Sequence, residues 1–143
     1  MLQAIDVFLF QIERMLAMTE ELKKFINACI KEYEYQIDGD SKNGNKQGKI
    51  IISICVQLKN ENSLNELLSL LDHEHPQVRF RAAERTLLSF PDRAERVLEE
   101  LSMLRGIEFG KIGFVSQITL QEWKKGNLKF PTNETLKRLE NDN

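Results

Sequence analysis

The sequence predicts an all-α fold, a right-handed α-α superhelix of about six helices. Three observations support this prediction. Apolar residues recur at helical spacing through most of the 143-residue chain. Only 3 prolines and 7 glycines interrupt them, which favours long helices over the many turns of a β protein. Two leucine-rich helix pairs also follow one another at an offset of about 30 residues, close to the period of stacked helical repeats.

Two amphipathic helices are predicted at the start of the chain. The apolar stripe of the first consists of Ile5, Phe8, Leu9, Ile12, Met15 and Leu16. Thr19 can cap the second helix, because its hydroxyl can accept a hydrogen bond from a free backbone amide. The stripe of this second helix consists of Leu22, Phe25, Ile26, Cys29, Ile30, Tyr33 and Ile37. Turn-forming residues at positions 38–45 then separate it from the next segment.

The segment 49–58 has two interpretations. Residues 50–56 are rich in isoleucine and valine, which is typical of a buried strand. A single strand among helices, however, would have no neighbour to satisfy its backbone hydrogen-bonding groups. We therefore predict a buried helix here.

The first of the two helix pairs begins after this segment. Ser63 and Glu66 have the spacing of a capping box at the start of a short leucine-rich helix. A tight connection at residues 72–75 leads to the second helix of the pair, near residues 76–89. Pro76 stands at its first position, where the missing N–H of proline costs nothing.

The second pair has the same organisation. Pro91 opens its first helix, and Arg105 and Gly106 are expected to end it. Its second helix is predicted near residues 111–125. Gly126 is well placed to terminate that helix, because glycine accepts the left-handed conformation common at helix ends.

Residues 67–83 resemble a HEAT-type repeat, whose second helix usually opens with valine and arginine followed by two alanines. Val78, Arg79, Ala82 and Ala83 occupy these positions here. The longer pattern continues through Ala94, Val97, Leu98, Glu99 and Glu100, then residues 112–114 and 119–126. Together these residues resemble a bacterial family of small HEAT-like proteins that is catalogued only as a domain of unknown function.

This resemblance covers about residues 19–128. It implies a HEAT/armadillo-like superhelix and no established activity. The chain is thereby divided into an extra N-terminal helix at 1–18, the HEAT-like domain at 19–128 and a polar tail at 129–143. Within the tail we expect at most one helical turn, from Thr132.

Composition and charge limit the classes of function. The formal net charge of -2 gives nucleic acid or an anionic membrane no general reason to attract the protein. The apolar start of the chain lacks a basic region and a small-residue cleavage site, and no run approaches the ~20 apolar residues of a membrane span, so we expect a cytoplasmic protein. The 2 cysteines, Cys29 and Cys55, are expected to be buried free thiols.

The sequence offers little for catalysis, and we predict neither an enzyme nor a bound cofactor. No nucleophile elbow is present, and Gly106, Gly110 and Gly113 lack the lysine and hydroxyl residue of a phosphate-binding loop. His73 and His75 suggest a metal site, but tight zinc sites use four ligands and the sequence supplies no third histidine or nearby cysteine. We expect no metal there, and instead a polar turn in which Asp72 or His75 caps the following helix.

An arginine row is the most distinctive charge pattern. It consists of Arg79, Arg81, Arg85, Arg93 and Arg96. Such a row could bind DNA, but Glu84, Glu95 and Glu99 are interspersed with it. The HEAT resemblance also implies that Arg79 is structural and pairs with a carboxylate of the neighbouring turn, where Asp72 is available.

The hypothesis that follows is a non-catalytic module that binds another protein on an inner surface formed by the second helices. Its candidate contact residues are Arg81, Glu84, Arg85, Leu88 and Trp123. Trp123 has a second interpretation, as a core residue that closes the last repeat. A specific version of the hypothesis is an immunity protein or antitoxin that sequesters a cognate toxin. The alternative is a nucleic-acid-binding or base-excision protein, which requires a continuous basic groove with a buried carboxylate at its centre.

Overall fold

This computed structural model describes residues 3–141, which form helices joined by turns and short loops. It contains α1 (Ala4–Ala17), α2 (Glu20–Ile37), α3 (Ser41–Asn60), a 3-10 helix (Leu64–Leu70), α4 (Pro76–Thr86), α5 (Pro91–Leu101), α6 (Gly106–Lys124) and α7 (Asn133–Asn141). No strand occurs in this part of the chain. The predicted all-α class is confirmed. The helices outnumber the expected six, in part because the tail forms α7 instead of a single turn.

Three of the predicted helix boundaries are confirmed. The hydroxyl of Thr19 accepts a hydrogen bond from the amide of Leu22 at 3.3 Å, which caps α2. Pro76 is the first residue of α4. Gly126 follows α6 with a φ of +77°, a conformation that glycine adopts without steric cost.

The predicted capping box at Ser63 is wrong. Its side chain makes no capping bond, and the hydroxyl instead donates to the carbonyl of Glu61 at 3.3 Å. The segment that follows is a 3-10 helix, in which side chains three residues apart lie on the same face. This spacing buries Leu64, Leu67 and Leu70 together.

Two further boundaries differ from the prediction. Gly106 begins α6 with a φ of +96° and does not end α5, which stops at Leu101. The α2–α3 turn is also shorter than residues 38–45, because the carboxylate of Asp40 accepts from the amide of Asn43 at 3.1 Å and starts a helix at once.

The ambiguous segment at 49–58 lies within α3 and is helical, as predicted. Its isoleucines divide between two environments. Ile51 and Ile54 are buried, whereas Ile50 is exposed. Residues three and four apart share one face of a helix, so this division is that of a helix packed on one side.

The helices form two packed layers. α4 lies between α2 and α6 and contacts both of them. On the other side, the 3-10 helix contacts α3 and α4, and α5 contacts α4 and α6. α7 packs on α3. The core between the layers is apolar, and its largest fully buried side chains include Phe25, Ile51, Leu58, Leu67, Leu87, Leu98 and Leu101.

In the helix α1, the side chains that the structure describes, those of residues 4–10, 12 and 13, do not belong to this core. Its apolar side chains from residue 5 to residue 10 are exposed, between 41% and 65%, at Ile5, Val7, Phe8, Leu9 and Phe10. Met18, just after the helix, is partly buried and packs against the core.

Both cysteines are buried free thiols, as predicted. Burial disfavours the thiolate, so it raises the pKa of Cys55 to about 12 and also raises the pKa of Cys29 well above its usual value. Neither thiol is therefore set up as a nucleophile.

The close approach of α6 to the end of α5 depends on Gly113. A Cβ atom at this position would collide with the carbonyl oxygen of Leu104 and crowd that of Leu101 at 3.4 Å. Because both obstacles are backbone atoms, no side chain can rotate away to relieve the clash.

We therefore expect Gly113→Ala to lower the free energy of unfolding by about 2–3 kcal/mol, within the range of overpacked cores. Gly110→Ala is the matched control, since a Cβ there meets its nearest atom at 3.6 Å and alanine favours a helix by up to ~1 kcal/mol over glycine. Urea unfolding followed by circular dichroism measures both variants. Equal stability of the two would show that the α5–α6 contact is not tight.

Candidate functional site

A buried ion pair joins α2 to α4. Glu32, near the middle of α2, is 3% exposed, and both of its carboxylate oxygens accept hydrogen bonds from Arg81. Nε of Arg81 donates to Oε1 at 2.9 Å and Nη2 donates to Oε2 at 2.8 Å, which is the bidentate geometry of a strong arginine–carboxylate pair. The side-chain amide of Gln77, one turn earlier on α4, also donates to Oε1 at 2.6 Å. The negative charge of Glu32 is thus held by three donors.

Room for this carboxylate is provided by α3. A Cβ atom at Gly48 would lie 3.3 Å from Oε2 of Glu32, which is tighter than nearly all such contacts. Gly48 therefore lets α3 pass close to the ion pair without displacing the carboxylate.

The ion pair extends into a network along α4. Nη1 of Arg81 donates to Oε1 of Glu84 at 3.0 Å, and Nε of Arg85 lies 3.4 Å from the same oxygen. Burial alone would raise the pKa of Glu84, but the charges of Arg81 and Arg85 outweigh it and hold that pKa below its usual value. Burial likewise opposes the charge of Arg81, yet Glu84 and Glu32 raise its pKa. Arg81 and Glu84 are therefore both charged near neutral pH.

The structure brings together three of the five predicted contact residues. The side chains of Arg81, Glu84 and Arg85 form the network just described and are only 20%, 20% and 17% exposed. They are therefore held in place instead of projecting freely from the surface. Leu88 is 45% exposed just beyond α4, whereas Trp123 is partly buried and packs against the core.

A cleft of about 690 Å³ lies beside this network. We name it the lysine cleft; it is lined by Glu32, Gln36, Gly39, Ser41, Lys42, Gly44, Asn45, Lys46, Gly48, Lys49, Ile52, Arg81, Lys111 and Leu139. Three of its lysines recur at i, i+4 and i+7 along one face of α3. The fourth lysine, Lys111, lies on α6, which is distant from α3 in the sequence. Sequence reasoning missed this cleft, although the absence of any Asp or Glu from the whole of α3 was a readable signal.

A smaller cleft of about 190 Å³ continues from the first one. The two share Gln36, Arg81 and Lys111. The second lining also contains Glu84, but α6 contributes the apolar side chains of Val115 and Ile118 to it. We name it the apolar cleft after these α6 side chains.

The predicted arginine row is divided between two surfaces. Arg81 lines the two clefts above, whereas Arg79, Arg93 and Arg96 line a separate cleft of about 360 Å³ together with Asp72 and Glu100. The reason is helical geometry, because residues two apart point to nearly opposite sides of a helix. Asp72, which was the expected partner of Arg79, lines this same cleft.

The two histidines have a structural role. Nδ1 of His75 accepts a hydrogen bond from the amide of Gln77 at 3.1 Å and so caps α4, as one of the two predicted alternatives required. Nδ1 of His73 accepts from the amide of His75 at 3.0 Å. Within residues 3–141, no three His, Cys, Asp or Glu side chains gather as a metal site would require.

Comparisons with protein-family models, with curated proteins and with solved structures found no match for this chain. Among the helices described here, none combines the length and the apolar character needed to cross a bilayer.

The Glu32 ion pair leads to a first prediction at this site. Glu32→Gln places a neutral amide against three hydrogen-bond donors. The positive charge of Arg81 is then paired only with Glu84. Because Arg81 is one-fifth exposed, we expect a loss of about 2–3 kcal/mol in unfolding free energy, below the roughly 3–5 kcal/mol of a fully buried pair.

The control for this experiment is Glu20→Gln. It breaks the 3.3 Å pair between Glu20 and Lys23, whose side chains are 75% and 48% exposed, and such pairs contribute at most about 0.5 kcal/mol. Chemical denaturation measures both variants. A loss at Glu32 no larger than the loss at Glu20 would contradict the assigned role.

A second prediction concerns pH. Burial lowers the pKa of His73 and of His75 below the ordinary value near 6.5, and protonation of Nδ1 would also abolish both hydrogen bonds that these rings accept. Below about pH 6.5 the unfolded chain therefore binds more protons than the folded one. The stability that these two histidines contribute is complete above this pH, and it is lost as the pH falls toward their lowered pKa values in the folded state.

We expect the urea midpoint of the wild-type protein to fall between pH 7 and pH 5. His73→Asn/His75→Asn keeps a side-chain acceptor at both positions and should lose most of this dependence. If the urea midpoint of the variant fell equally, groups other than His73 and His75 would cause the pH dependence.

Proposed function

We propose that this protein is a non-catalytic binding module for another protein, built as a HEAT-like right-handed superhelix in which α4 and α6 line the partner-facing surface. The observation that carries the proposal is the groove beside α4. Its charged floor is fixed in position by the Glu32–Arg81–Glu84 network, and its two clefts offer a charged and an apolar surface side by side.

A fixed floor favours tight binding of a partner. Side chains that are already ordered lose little conformational entropy when a partner docks, so more of the contact energy appears as affinity. Leu88 and the exposed part of Trp123 extend the candidate contact surface beyond the network.

The specific version of this proposal is a bacterial, cytoplasmic immunity protein or antitoxin that sequesters a cognate toxin. A small binding protein that needs no catalytic side chains suits this task. A toxin gene next to the gene of this protein is then expected. If cells that make that toxin survive without this protein, the immunity-protein or antitoxin hypothesis is excluded.

The alternative class, a nucleic-acid-binding or base-excising protein, has one observation in its favour. The lysine cleft is basic and has the buried carboxylate of Glu32 at its floor. Against this alternative, both oxygens of that carboxylate are occupied by Arg81, which leaves no acceptor directed at a substrate. The environment of Glu32 thus supports the binding module.

Affinity purification of the tagged protein from its native cell, with mass spectrometry, tests the proposal. We expect one dominant protein in stoichiometric amount. Nucleic acid alone, released by salt, would instead favour the alternative class.

Two exposed apolar residues then test the assigned surface. Leu88→Asp should weaken binding of the purified partner by about tenfold or more, as expected for an interface anchor. Met103→Asp is the control, because Met103 is 74% exposed and lies outside the surface proposed here. Equal affinities of the two variants, measured by calorimetry, would place the interface elsewhere.

A further inference from the structure

The lysine cleft has a strong local excess of positive charge. Five cationic side chains and one carboxylate line it, in a protein whose formal net charge is -2. The single carboxylate, Glu32, is already paired with Arg81 and does not offset the lysines. The lining of the cleft therefore carries a net positive charge.

Lys42 and Lys46 have no carboxylate on their own helix with which to pair. The 20 residues of α3 include no Asp or Glu. Among the described residues, no carboxylate lies within 4.0 Å of the ammonium groups of Lys42, Lys46 or Lys111. Asp40, which precedes α3, interacts electrostatically with Lys42 and Lys46, but its carboxylate already accepts hydrogen bonds from Asn43 at 2.7 and 3.1 Å.

We propose that the lysine cleft and the apolar cleft together bind an acidic amphipathic helix of the partner protein. This inference rests on the proposed function and names the chemistry of the segment that is bound. Carboxylates of the segment would lie against the lysines of α3 and α6. Its apolar side chains would enter the apolar cleft.

The dimensions of the two clefts fit a short helix. From Lys42 to Lys49 the lysine row is about 10 Å long, at a rise of ~1.5 Å per residue, which two turns of a bound helix would cover. Beyond the shared Arg81, Ile118 is 40% exposed, and Phe114, one turn away on α6, is 61% exposed. A segment with acidic residues at one end of a face and apolar residues at the other would therefore satisfy both halves.

A long polyanion fits less well. The lysine cleft has no aromatic side chain on which a base could stack, and Phe80 in the apolar cleft is 3% exposed. Beyond the short lysine row, the chain carries an excess of acidic groups. Nucleic acid would gain few phosphate contacts before it met this repulsion.

The test uses a synthetic helical peptide with glutamates along one half of a face and leucines along the other half. Fluorescence anisotropy at low salt measures its binding to the full-length protein. Lys42→Gln/Lys46→Gln/Lys111→Gln should weaken binding by about tenfold or more, because exposed charge pairs add up at low ionic strength. Lys24→Gln/Lys124→Gln/Lys129→Gln removes the same charge from exposed positions outside the cleft and should have little effect.

Two companion probes complete the experiment. A peptide with glutamines in place of the glutamates should bind weakly, and so should an oligothymidylate of similar length. The inference is overturned if the acidic peptide does not bind, if the glutamine peptide binds equally well, if both triple variants behave alike, or if the oligothymidylate binds more tightly than the peptide.

The proposed function can fail separately from this inference. Absence of any copurifying protein in the native cell counts against the binding module, whatever the peptide does. A natural partner that binds the triple cleft variant as tightly as the wild-type protein would retain the module and overturn the cleft inference.

Discussion

The buried ion pair between Glu32 and Arg81 is the constraint on which the site depends. A carboxylate that is 3% exposed is costly unless its charge is paired and its oxygens accept hydrogen bonds. Arg81 and Gln77 meet this requirement from α4, and Gly48 leaves the space from α3. Three helices must therefore hold their relative positions for one charge to be accommodated.

This constraint also determines the character of the surface. Because Arg81 pairs with both Glu32 and Glu84, the charged groups at the floor of the groove largely balance one another and hold one another in place. Lysines of α3 line the cleft beside this floor. The helix α3 itself contains no carboxylate. The groove therefore combines an ordered floor with a basic rim, and it is this combination that supports a binding role.

The packing elsewhere shows how short helices are stabilised by contact. The 3-10 helix is only 7 residues long and buries its leucines against α3 and α4. Isolated helices of this length are unstable, so their stability comes from neighbours. Gly113 serves the same purpose in the last pair, since it allows α6 to approach the backbone at the end of α5. By contrast, the α1 side chains that the structure describes, at residues 4–10, 12 and 13, are not part of the core.

The sequence by itself determined the all-α class and several of the helix ends. Apolar spacing located the elements, and local groups such as Thr19, Pro76 and Gly126 determined where they start or stop, because capping involves only residues a few positions apart. Tertiary structure alone decided the site. Glu32 and Arg81 are separated by 49 residues, and Lys111 reaches the lysine cleft from α6, so no local spacing predicts that they meet. Periodicity shows which face of a helix a charge lies on, whereas its partner depends on how the helices pack.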